Sequence, residues 1–318
     1  MLENLEVARP GPGPITRESI TAALIDKFIS SQEVKENSRY TYKREIRQFF
    51  GWLEKHCIKD PTRDQILAYK RDVQTQGKSS LTLSGYLTAV RKFFEWTEGI
   101  KFYPNVAKGI KGAKRSKGFR KDPLTVRQVN ELLAAVDRCT IQGKRDLALL
   151  NLLVRTGLRT IEVIRADVED MRQEGGEAIL RIHGKGRDSK DDFVLLTAGT
   201  LRPMQEYLAA RGRLEENAPL FSSLSDRNKN QRLTTRSISG LVKAYLRKIG
   251  LDNVRLTAHS LRHTAITLSL QGGATIQEAQ ALGRHADINT TLIYAHNVKR
   301  IANAPERKID AVLAGSVT

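Results

Sequence analysis

Cysteine is scarce in this sequence, and so are long apolar runs. The 318 residues include two cysteines, Cys57 and Cys139, too few for a disulfide framework or a zinc-binding set. A reducing cytoplasm is therefore the expected location. No stretch approaches the roughly 18 apolar residues that suggest a membrane-spanning helix. Residues 1–14 also lack the apolar core of a signal peptide, so no membrane association is expected.

Two kinds of phosphate chemistry lack their characteristic residues. The sequence has no GxxxxGK[ST] loop, so a nucleotide-driven reaction of the P-loop type is not expected. It has no cluster of carboxylates, or of Cys and His residues, spaced as metal ligands, which argues against a two-metal nuclease. We therefore expect neither a cofactor nor a metal.

Acidic residues are outnumbered by basic ones. Lys and Arg total 53 and Asp and Glu total 35, which gives a formal net charge of +18. A polyanion such as nucleic acid is the first partner that this charge indicates. A membrane surface or an acidic protein is the alternative.

The first third of the chain has a helical pattern. Residues 1–17 are rich in Gly and Pro and are expected to be disordered. Over residues 18–107, apolar residues recur at helical spacing in four segments, which predicts a small helical bundle. Ser38, Asp60-Pro61 and Ser80 are the predicted starts of the second, third and fourth helices.

Basic residues mark two surfaces for DNA. On the polar faces of the predicted helices, the candidates are Arg39, Lys43, Arg44, Arg47, Lys78 and Arg91. Residues 108–121, KGIKGAKRSKGFRK, form a basic linker with three glycines and no acid, and its candidates are Lys111, Lys114, Arg115 and Lys117. The linker is expected to be extended and to lie along the phosphate backbone. Ordinary solvated faces and a plain interdomain linker are the alternatives.

Residues 122–318 predict a second domain with a C-terminal tail. Thr125 is a predicted helix cap, and residues 146–157, DLALLNLLVRTG, are apolar enough to be the core helix, ending at Gly157. Residues 178–183 and 192–196 read as two short strands. Helices are expected at 200–211, 234–249, 259–270 and 275–283. The whole chain is therefore predicted to be mainly α with a small antiparallel β-sheet.

Several residues of the second domain suit phosphate chemistry. Arg159 offers a planar fork for two phosphate oxygens, and Glu162, close to one helical turn on, can hold that fork in place. His259 and Arg262 share a helix face at i and i+3. A structural ion pair and an interior histidine are the alternatives, and His263 is interpreted as structural because it points away from Arg262.

A lysine and a histidine–tyrosine pair complete the candidate set. Lys185 and Lys190 both lie in the turn between the two predicted strands. Lys185 is the candidate for the lysine of the site, and Lys190 is its competitor. His285 precedes Tyr294 by nine residues. A phenol is a weak nucleophile at its usual pKa and needs help to lose its proton. Packing of Tyr294 on a core helix is the alternative.

Four segments together resemble the tyrosine recombinase family, which is phage-integrase-like and Xer-like. They are TGLRTIEV at 156–163, HGKGRDSKDDFVLL at 183–196, TAHSLRHTAITL at 257–268 and LGRHADINTTLIYAH at 282–296. The resemblance covers residues 18 to 300, with a SAM-like core-binding bundle followed by an α+β catalytic domain. Arg284 is a departure, because the family more often has Gly-His than Gly-Arg-His.

The resemblance implies a metal- and ATP-independent recombinase that joins Tyr294 to DNA as a 3′-phosphotyrosine. Arg159, Arg262, His259 and His285 would complete the site, with Lys185 as the general acid and Glu162 in support. It further implies that the partner is double-stranded DNA with a specific recombination site, in the cytoplasm at the nucleoid. The enzyme would act there as a homotetramer, and the free protein can be a monomer. The alternatives are a non-catalytic DNA-binding protein on the same fold, a type IB topoisomerase and an RNA-binding helical protein.

Overall fold

The structure, a computed structural model, describes residues 22–113, 122–183, 190–302 and 305–315. The N-terminus predicted to be disordered lies outside these ranges, and so does the predicted general acid Lys185. Three of the four DNA-binding candidates in the linker, Lys114, Arg115 and Lys117, lie outside them as well. The described residues form two units, one on each side of the gap at 114–121.

The first unit contains the four helices predicted from the apolar spacing. They are α1 (Ala22–Ser30), α2 (Glu36–Lys55), α3 (Arg63–Thr75) and α4 (Ser80–Gly99). Helix α4 starts at Ser80, as predicted. The preceding residue, Ser79, caps it, because its hydroxyl accepts a hydrogen bond from the Thr82 backbone N–H at 3.1 Å. Such a cap satisfies one of the N–H groups that a helix leaves unpaired at its first turn.

Two predicted helix starts are wrong, because the caps of α2 and α3 are Lys35 and Thr62 rather than Ser38 and Asp60. Ser38 was the expected cap of α2, but the helix begins at Glu36, so Ser38 lies inside its first turn. Asp60-Pro61 was the expected start of α3, which begins at Arg63 instead. There the Thr62 backbone N–H donates to Gln65 Oε1 at 2.7 Å. This capping contact makes Thr62, rather than Asp60, the residue before the first turn of α3.

Aromatic side chains fill the core of the bundle. Phe28 of α1 and Phe93 of α4 are fully buried and meet edge to face, with ring centroids 5.4 Å apart. Phe49 of α2 meets Phe94 of α4 in the same way at 6.0 Å. This geometry brings the positive edge of one ring to the negative face of the other.

Packing of the bundle continues beyond its predicted boundary at 107. Ile110 is 2% exposed and belongs to the apolar core, and its backbone carbonyl accepts from Arg91 Nη1 at 3.3 Å. Arg63 donates to the Lys108 carbonyl at 2.6 Å, and Lys70 donates to the Lys111 carbonyl at 2.9 Å. Residues 108–113 of the predicted linker therefore pack on the bundle.

The second unit combines nine helices with one small sheet in the described ranges. The helices are α5 (Val126–Ala134), α6 (Ile141–Thr156), α7 (Thr160–Arg165), α8 (Ala198–Arg211), α9 (Thr235–Lys248), α10 (Ala258–Gln271), α11 (Ile276–Gly283), α12 (Ile288–Ala302) and α13 (Pro305–Gly315). The strands are β1 (Met171–Glu174), β2 (Glu177–Ile182) and β3 (Asp192–Leu195). The prediction of a mainly α chain with a small antiparallel sheet is confirmed.

Helix α6 is the centre of this unit, as its all-round apolar sequence predicts. Leu147 to Val154 are buried without interruption, and the helix packs against α8 and α10. Gly157 follows its last residue at φ 62°, the left-handed conformation that glycine adopts at low cost. Thr125 caps α5 as predicted, accepting from the Gln128 backbone N–H at 3.3 Å.

The sheet has the order β1-β2-β3, and both pairs are antiparallel. Met171 pairs with Leu180, and Ile179 pairs with Leu195. The sequence predicted β2 and β3 but not β1, whose side chains are mostly exposed and have no apolar alternation.

Helices α10, α11 and α12 pack against one another, and α10 also packs on α6. This arrangement brings together the turn after α6, one face of α10, the turn after α11 and the middle of α12.

Within the described ranges, no helix is both long and apolar enough to span a bilayer.

Candidate active site

The turn between α6 and α7 positions the first arginine. Arg159 Nη1 donates to Glu162 Oε1 at 2.7 Å, and the backbone N–H of Arg159 donates to Oε2 of the same carboxylate, also at 2.7 Å. Glu162 is completely buried, whereas the Arg159 side chain is 28% exposed. The buried carboxylate therefore fixes the orientation of the Arg159 guanidinium and leaves part of it accessible to solvent.

Arg284 shares this carboxylate, which the sequence did not indicate. Its Nη2 donates to Glu162 Oε2 at 3.1 Å, and its side chain is 9% exposed. Its backbone carbonyl accepts from Arg159 Nη2 at 3.3 Å. Burial alone would raise the pKa of Glu162, but Arg284 and Arg159 outweigh it and the net pKa is lowered. The departure from the family pattern thus adds a third guanidinium to the site.

The backbone of Arg284 is unusual for its residue type. It follows the last residue of α11 at φ 46° and ψ 49°, a left-handed conformation that costs a side-chain-bearing residue about 1 kcal/mol. Arg284 Nε is buried and has no hydrogen-bond partner in the described part of the chain.

Arg262 on α10 is held by two backbone carbonyls at the ends of α6 and α11. Its Nη1 donates to the Gly157 carbonyl at 2.6 Å, and its Nη2 donates to the Gly283 carbonyl. It is 3% exposed, and burial, with Arg159 and Arg284 nearby, lowers its pKa to about 10. The group therefore stays charged at neutral pH.

Tyr294 lies on α12 beside these groups. It is 3% exposed, and burial raises its pKa to about 12, against the opposing influence of Arg262 and Arg159. Its hydroxyl lies 2.5 Å from Nδ1 of His263, and the two rings stack with centroids 5.3 Å apart. The ring of Tyr294 is therefore buried, and its hydroxyl has a hydrogen-bond partner.

The interpretation of His263 as merely structural does not account for this contact. His263 does differ in direction from Arg262, but it turns toward the hydroxyl of Tyr294. His259 and His263 are four residues apart on α10 and therefore neighbours on one face. Their rings meet edge to face at 4.6 Å. That spacing was visible in the sequence, whereas the approach of α12 was not.

The two predicted histidines take different positions. His259 is exposed at the start of α10. His285 is half-buried, its ring stacks on Tyr294 at 6.0 Å, and its Nδ1 lies 2.8 Å from Thr291 Oγ1. Burial, followed by Arg262, Arg159 and Arg284, lowers the pKa of His285 to about 4. This histidine is therefore neutral at physiological pH.

Of the two competing lysines, the structure describes Lys190. Its Nζ pairs with Asp167 at 2.9 Å and with Asp170 at 2.8 Å. Burial would lower the pKa of Lys190, but the two carboxylates outweigh it and the net pKa is raised. A lysine held this way is a poor proton donor, which counts against Lys190 in that role.

The described DNA-binding candidates fall into two groups. Arg39 and Arg91 donate to backbone carbonyls, and Lys43 and Arg44 form ion pairs with Asp26 and Glu45. Arg47, Lys78 and Lys111 have exposed side chains.

In the described ranges no group of three or more His, Cys, Asp or Glu side chains has the arrangement of a metal site.

Comparison with known proteins identifies the family. Residues 123–300 match the model of the phage integrase family, and residues 23–102 match the N-terminal SAM-like domain of phage integrases. The chain therefore belongs to the phage integrase family and is a site-specific tyrosine recombinase, an enzyme that cleaves and rejoins DNA strands.

Named relatives extend over most of the chain. The tyrosine recombinase XerD of Bifidobacterium longum is 30% identical over 270 residues, covering 80% of this chain and 85% of the relative. XerA of Pyrococcus horikoshii is 28% identical over 303 residues, covering 94% and 98%. The crystal structure of XerH bound to a palindromic difH substrate matches with a TM-score of 0.73 at 22% identity, covering 91% of this chain and 85% of that one.

Proposed function

We propose that Tyr294 is the nucleophile of the recombination reaction. Its phenolic oxygen attacks a DNA phosphorus, forms a 3′-phosphotyrosine and releases a 5′-hydroxyl, which takes a proton from Lys185. The 5′-hydroxyl of a partner strand then attacks the phosphotyrosine and restores a phosphodiester. Each step exchanges one phosphoester for another, so no nucleotide is consumed.

The arginines supply the charge that this reaction requires. Phosphoryl transfer places negative charge on the nonbridging oxygens, and fixed cations in a site sheltered from water stabilise it most. Arg159 and Arg262 are the proposed clamps, with Glu162 orienting the first. His259 and His285 are proposed to donate hydrogen bonds to the same oxygens.

The observation that carries the proposal is the setting of the Tyr294 hydroxyl. It lies within the electrostatic influence of both Arg262 and Arg159, and beside the rings of His263 and His285. A tyrosine that served only packing would need one hydrogen-bond partner and no surrounding cations. These groups come from α10, α12 and the turns that follow α6 and α11, and their gathering favours chemistry over packing.

The test is to trap the covalent intermediate. Wild type is incubated with nicked duplexes carrying candidate sites, where loss of a short strand prevents rejoining, and an SDS-resistant adduct is sought. Tyr294→Phe should form no adduct while binding the same DNA. Tyr245→Phe, a matched change on α9, should form it normally. Binding without any wild-type adduct would favour a non-catalytic protein, and supercoil relaxation without sequence preference would favour a topoisomerase.

The DNA partner is proposed to be a duplex with a specific recombination site. The similar XerH is described in complex with its substrate DNA, which supports a DNA partner here. We propose that the bundle at 18–107 and the catalytic domain at 122–318 both contact this duplex. The basic linker, from Lys111 through Lys114, Arg115 and Lys117, would lie along the backbone, and the enzyme would act at the nucleoid in the cytoplasm.

A tetramer on DNA is the proposed assembly, with a monomer when free. Exchange between two duplexes requires four cleavages and therefore four active sites. Helix α13 exposes Ile309 and Leu313, at 57% and 62%, one turn apart on the same face. We propose that this face docks on a neighbouring subunit. Sedimentation with and without site DNA should give a tetramer and a monomer, and Ile309→Asp with Leu313→Asp should prevent only the tetramer.

A further inference from the structure

The structure places beside Tyr294 a candidate proton acceptor, His263, which the sequence analysis interpreted as structural. The hydroxyl oxygen lies 2.5 Å from His263 Nδ1, at the short end of the hydrogen-bond range. Tyr294 and His263 are 3% and 9% exposed, so bulk water has little access to this hydrogen bond. The nucleophilic atom therefore already has an imidazole nitrogen beside it before DNA arrives.

The direction of this hydrogen bond follows from the charge states of the two groups. Burial raises the pKa of Tyr294 to about 12, so the phenol keeps its proton at neutral pH. Burial, with His259, Arg262 and His285 nearby, lowers the pKa of His263 to about 4, so the imidazole is neutral. The hydroxyl therefore donates and Nδ1 accepts, which assigns the ring proton to Nε2.

The other histidines are oriented toward different tasks. His285 directs Nδ1 to Thr291 Oγ1, and its ring lies over the ring of Tyr294. His259 is exposed and meets the edge of the His263 ring. Both are suited to contact phosphate oxygens, which leaves the phenolic proton to His263.

We propose that His263 is a catalytic residue that accepts the phenolic proton as Tyr294 attacks phosphorus. The new bond joins Tyr294 Oη to phosphorus, the bond from phosphorus to the 5′ oxygen breaks, and the proton on Oη moves to Nδ1. The leaving oxygen takes its proton from the general acid assigned to Lys185. In the rejoining step His263 returns the proton to the departing phenol. This inference rests on the proposed role of Tyr294 as nucleophile.

Binding of DNA makes His263 a better base. The charged and titratable groups that face it are His259 and Arg262 on α10, His285 and Tyr294 from the α12 side, and Asp122. Arg262 disfavours the protonated imidazole, and a phosphate on its guanidinium cancels that influence. The substrate thus raises the basicity of His263 when the phenol must lose its proton.

The experiment compares strand cleavage in single turnover by wild type, His263→Asn and Lys185→Ala on a nicked duplex that wild type cleaves. The Asn amide oxygen keeps a hydrogen-bond acceptor near the position of Nδ1 but takes no proton. His263→Asn should cleave about 100-fold more slowly, the lower end of general acid–base effects, with unchanged DNA affinity. A His263→Asn rate close to that of wild type overturns the proposal.

A second substrate separates proton removal from proton donation. A 5′-bridging sulfur is a good leaving group without protonation, so it should restore cleavage by Lys185→Ala. It should leave His263→Asn slow, because the phenol must still lose its proton. The rate should also fall toward acid pH in wild type and lose that limb in His263→Asn. Recovery of His263→Asn on the sulfur substrate contradicts the assignment.

Two controls keep the outcomes distinct. Melting curves and DNA binding of His263→Asn report whether α10 and α12 still pack, and imidazole added to His263→Gly should restore cleavage. Failure of imidazole to restore a folded His263→Gly that binds DNA counts against the proposal. Full-rate cleavage by His263→Asn with no adduct from Tyr294→Phe would refute this inference and leave the proposed function intact. An adduct formed by Tyr294→Phe would instead overturn the proposed function.

Discussion

Arg159 and Arg284 bind the two oxygens of one fully buried carboxylate, that of Glu162. Arg159 Nη1 lies 2.7 Å from Oε1 and Arg284 Nη2 lies 3.1 Å from Oε2. Arg262 is held alongside through the Gly157 carbonyl, which also accepts from Arg284. One negative charge thus organises a pocket of three guanidiniums and leaves net positive charge for a phosphate.

Replacement of Glu162 by Gln should destabilise the second unit. Removing the charged partner of a buried ion pair typically costs about 3–5 kcal/mol, because the remaining charges stay buried without compensation. Urea unfolding at pH 7, followed by far-UV circular dichroism, should show this loss. Both tryptophans, Trp52 and Trp96, lie in the first unit, so their fluorescence reports the unfolding of that unit separately.

The pH dependence of that loss has a defined sign. The folded pKa of Glu162 lies below its ordinary value of 4.5, so ionisation stabilises the folded state above that value. As pH falls below 4.5 and through the folded pKa, wild type loses this stabilisation and Glu162→Gln has none to lose. The difference between their unfolding free energies should therefore shrink between pH 6 and pH 3. A constant difference would count against the ion-pair explanation.

Position 284 can be tested for backbone strain and charge separately. Arg284→Gly and Arg284→Ala both remove the guanidinium, but only glycine relieves the left-handed backbone at φ 46°. The Gly variant should be more stable than the Ala variant by about 1 kcal/mol. Both should cleave DNA more slowly than wild type, because Glu162 then neutralises Arg159 alone. Equal stability of the two variants would show that the residue relaxes out of this conformation.

The sequence was most informative where local chemistry decides the structure. The cap at Thr125, the start of α4 at Ser80, the glycine after α6 and the apolar helix α6 itself were all recognisable from short segments. Strand β1 was missed because its exposed polar side chains show no alternation. A signal was present in Gly175 and Gly176, at φ 60° and 84°, since two glycines between strands favour a tight hairpin.

The sequence indicated a set of candidate residues for the active site but not the contacts between them. Arg159 with Glu162, and His259 with Arg262, are local pairs that helix geometry places together. The contact of His263 with Tyr294 joins α10 to α12, and that of Arg284 with Glu162 joins the end of α11 to α7. Such contacts depend on how helices pack, which the spacing of residues along one helix does not specify.

The two lysines near the sheet should differ in what their loss affects. Lys190→Met leaves Asp170, which is 2% exposed, without its lysine partner and should lower stability by about 2 kcal/mol. Its cleavage rate should stay close to that of wild type. Lys185→Ala should keep stability and lose cleavage by about 100-fold or more. The reverse pattern, measured by single-turnover cleavage and urea unfolding, would make Lys190 the acid.

DNA binding by the bundle should depend on Arg47 more than on Arg91. Arg47 is exposed on α2, whereas Arg91 donates to the Ile110 carbonyl and to Thr88. If Arg47 contacts one phosphate, Arg47→Ala should reduce the slope of log affinity against log salt by about 0.9, because one fewer counterion is released. Anisotropy titrations of a labelled duplex over a range of KCl concentrations measure this slope.

Two variants control that measurement. Arg213→Ala removes the same charge from an exposed position of the second unit and should leave the slope unchanged. Arg91→Ala should mainly lower the unfolding midpoint seen by tryptophan fluorescence, because residues 108–113 lose a contact that holds them on the bundle. An Arg47→Ala slope equal to that of wild type would mean that this face of α2 is solvated and that the DNA-binding surface of the bundle lies elsewhere.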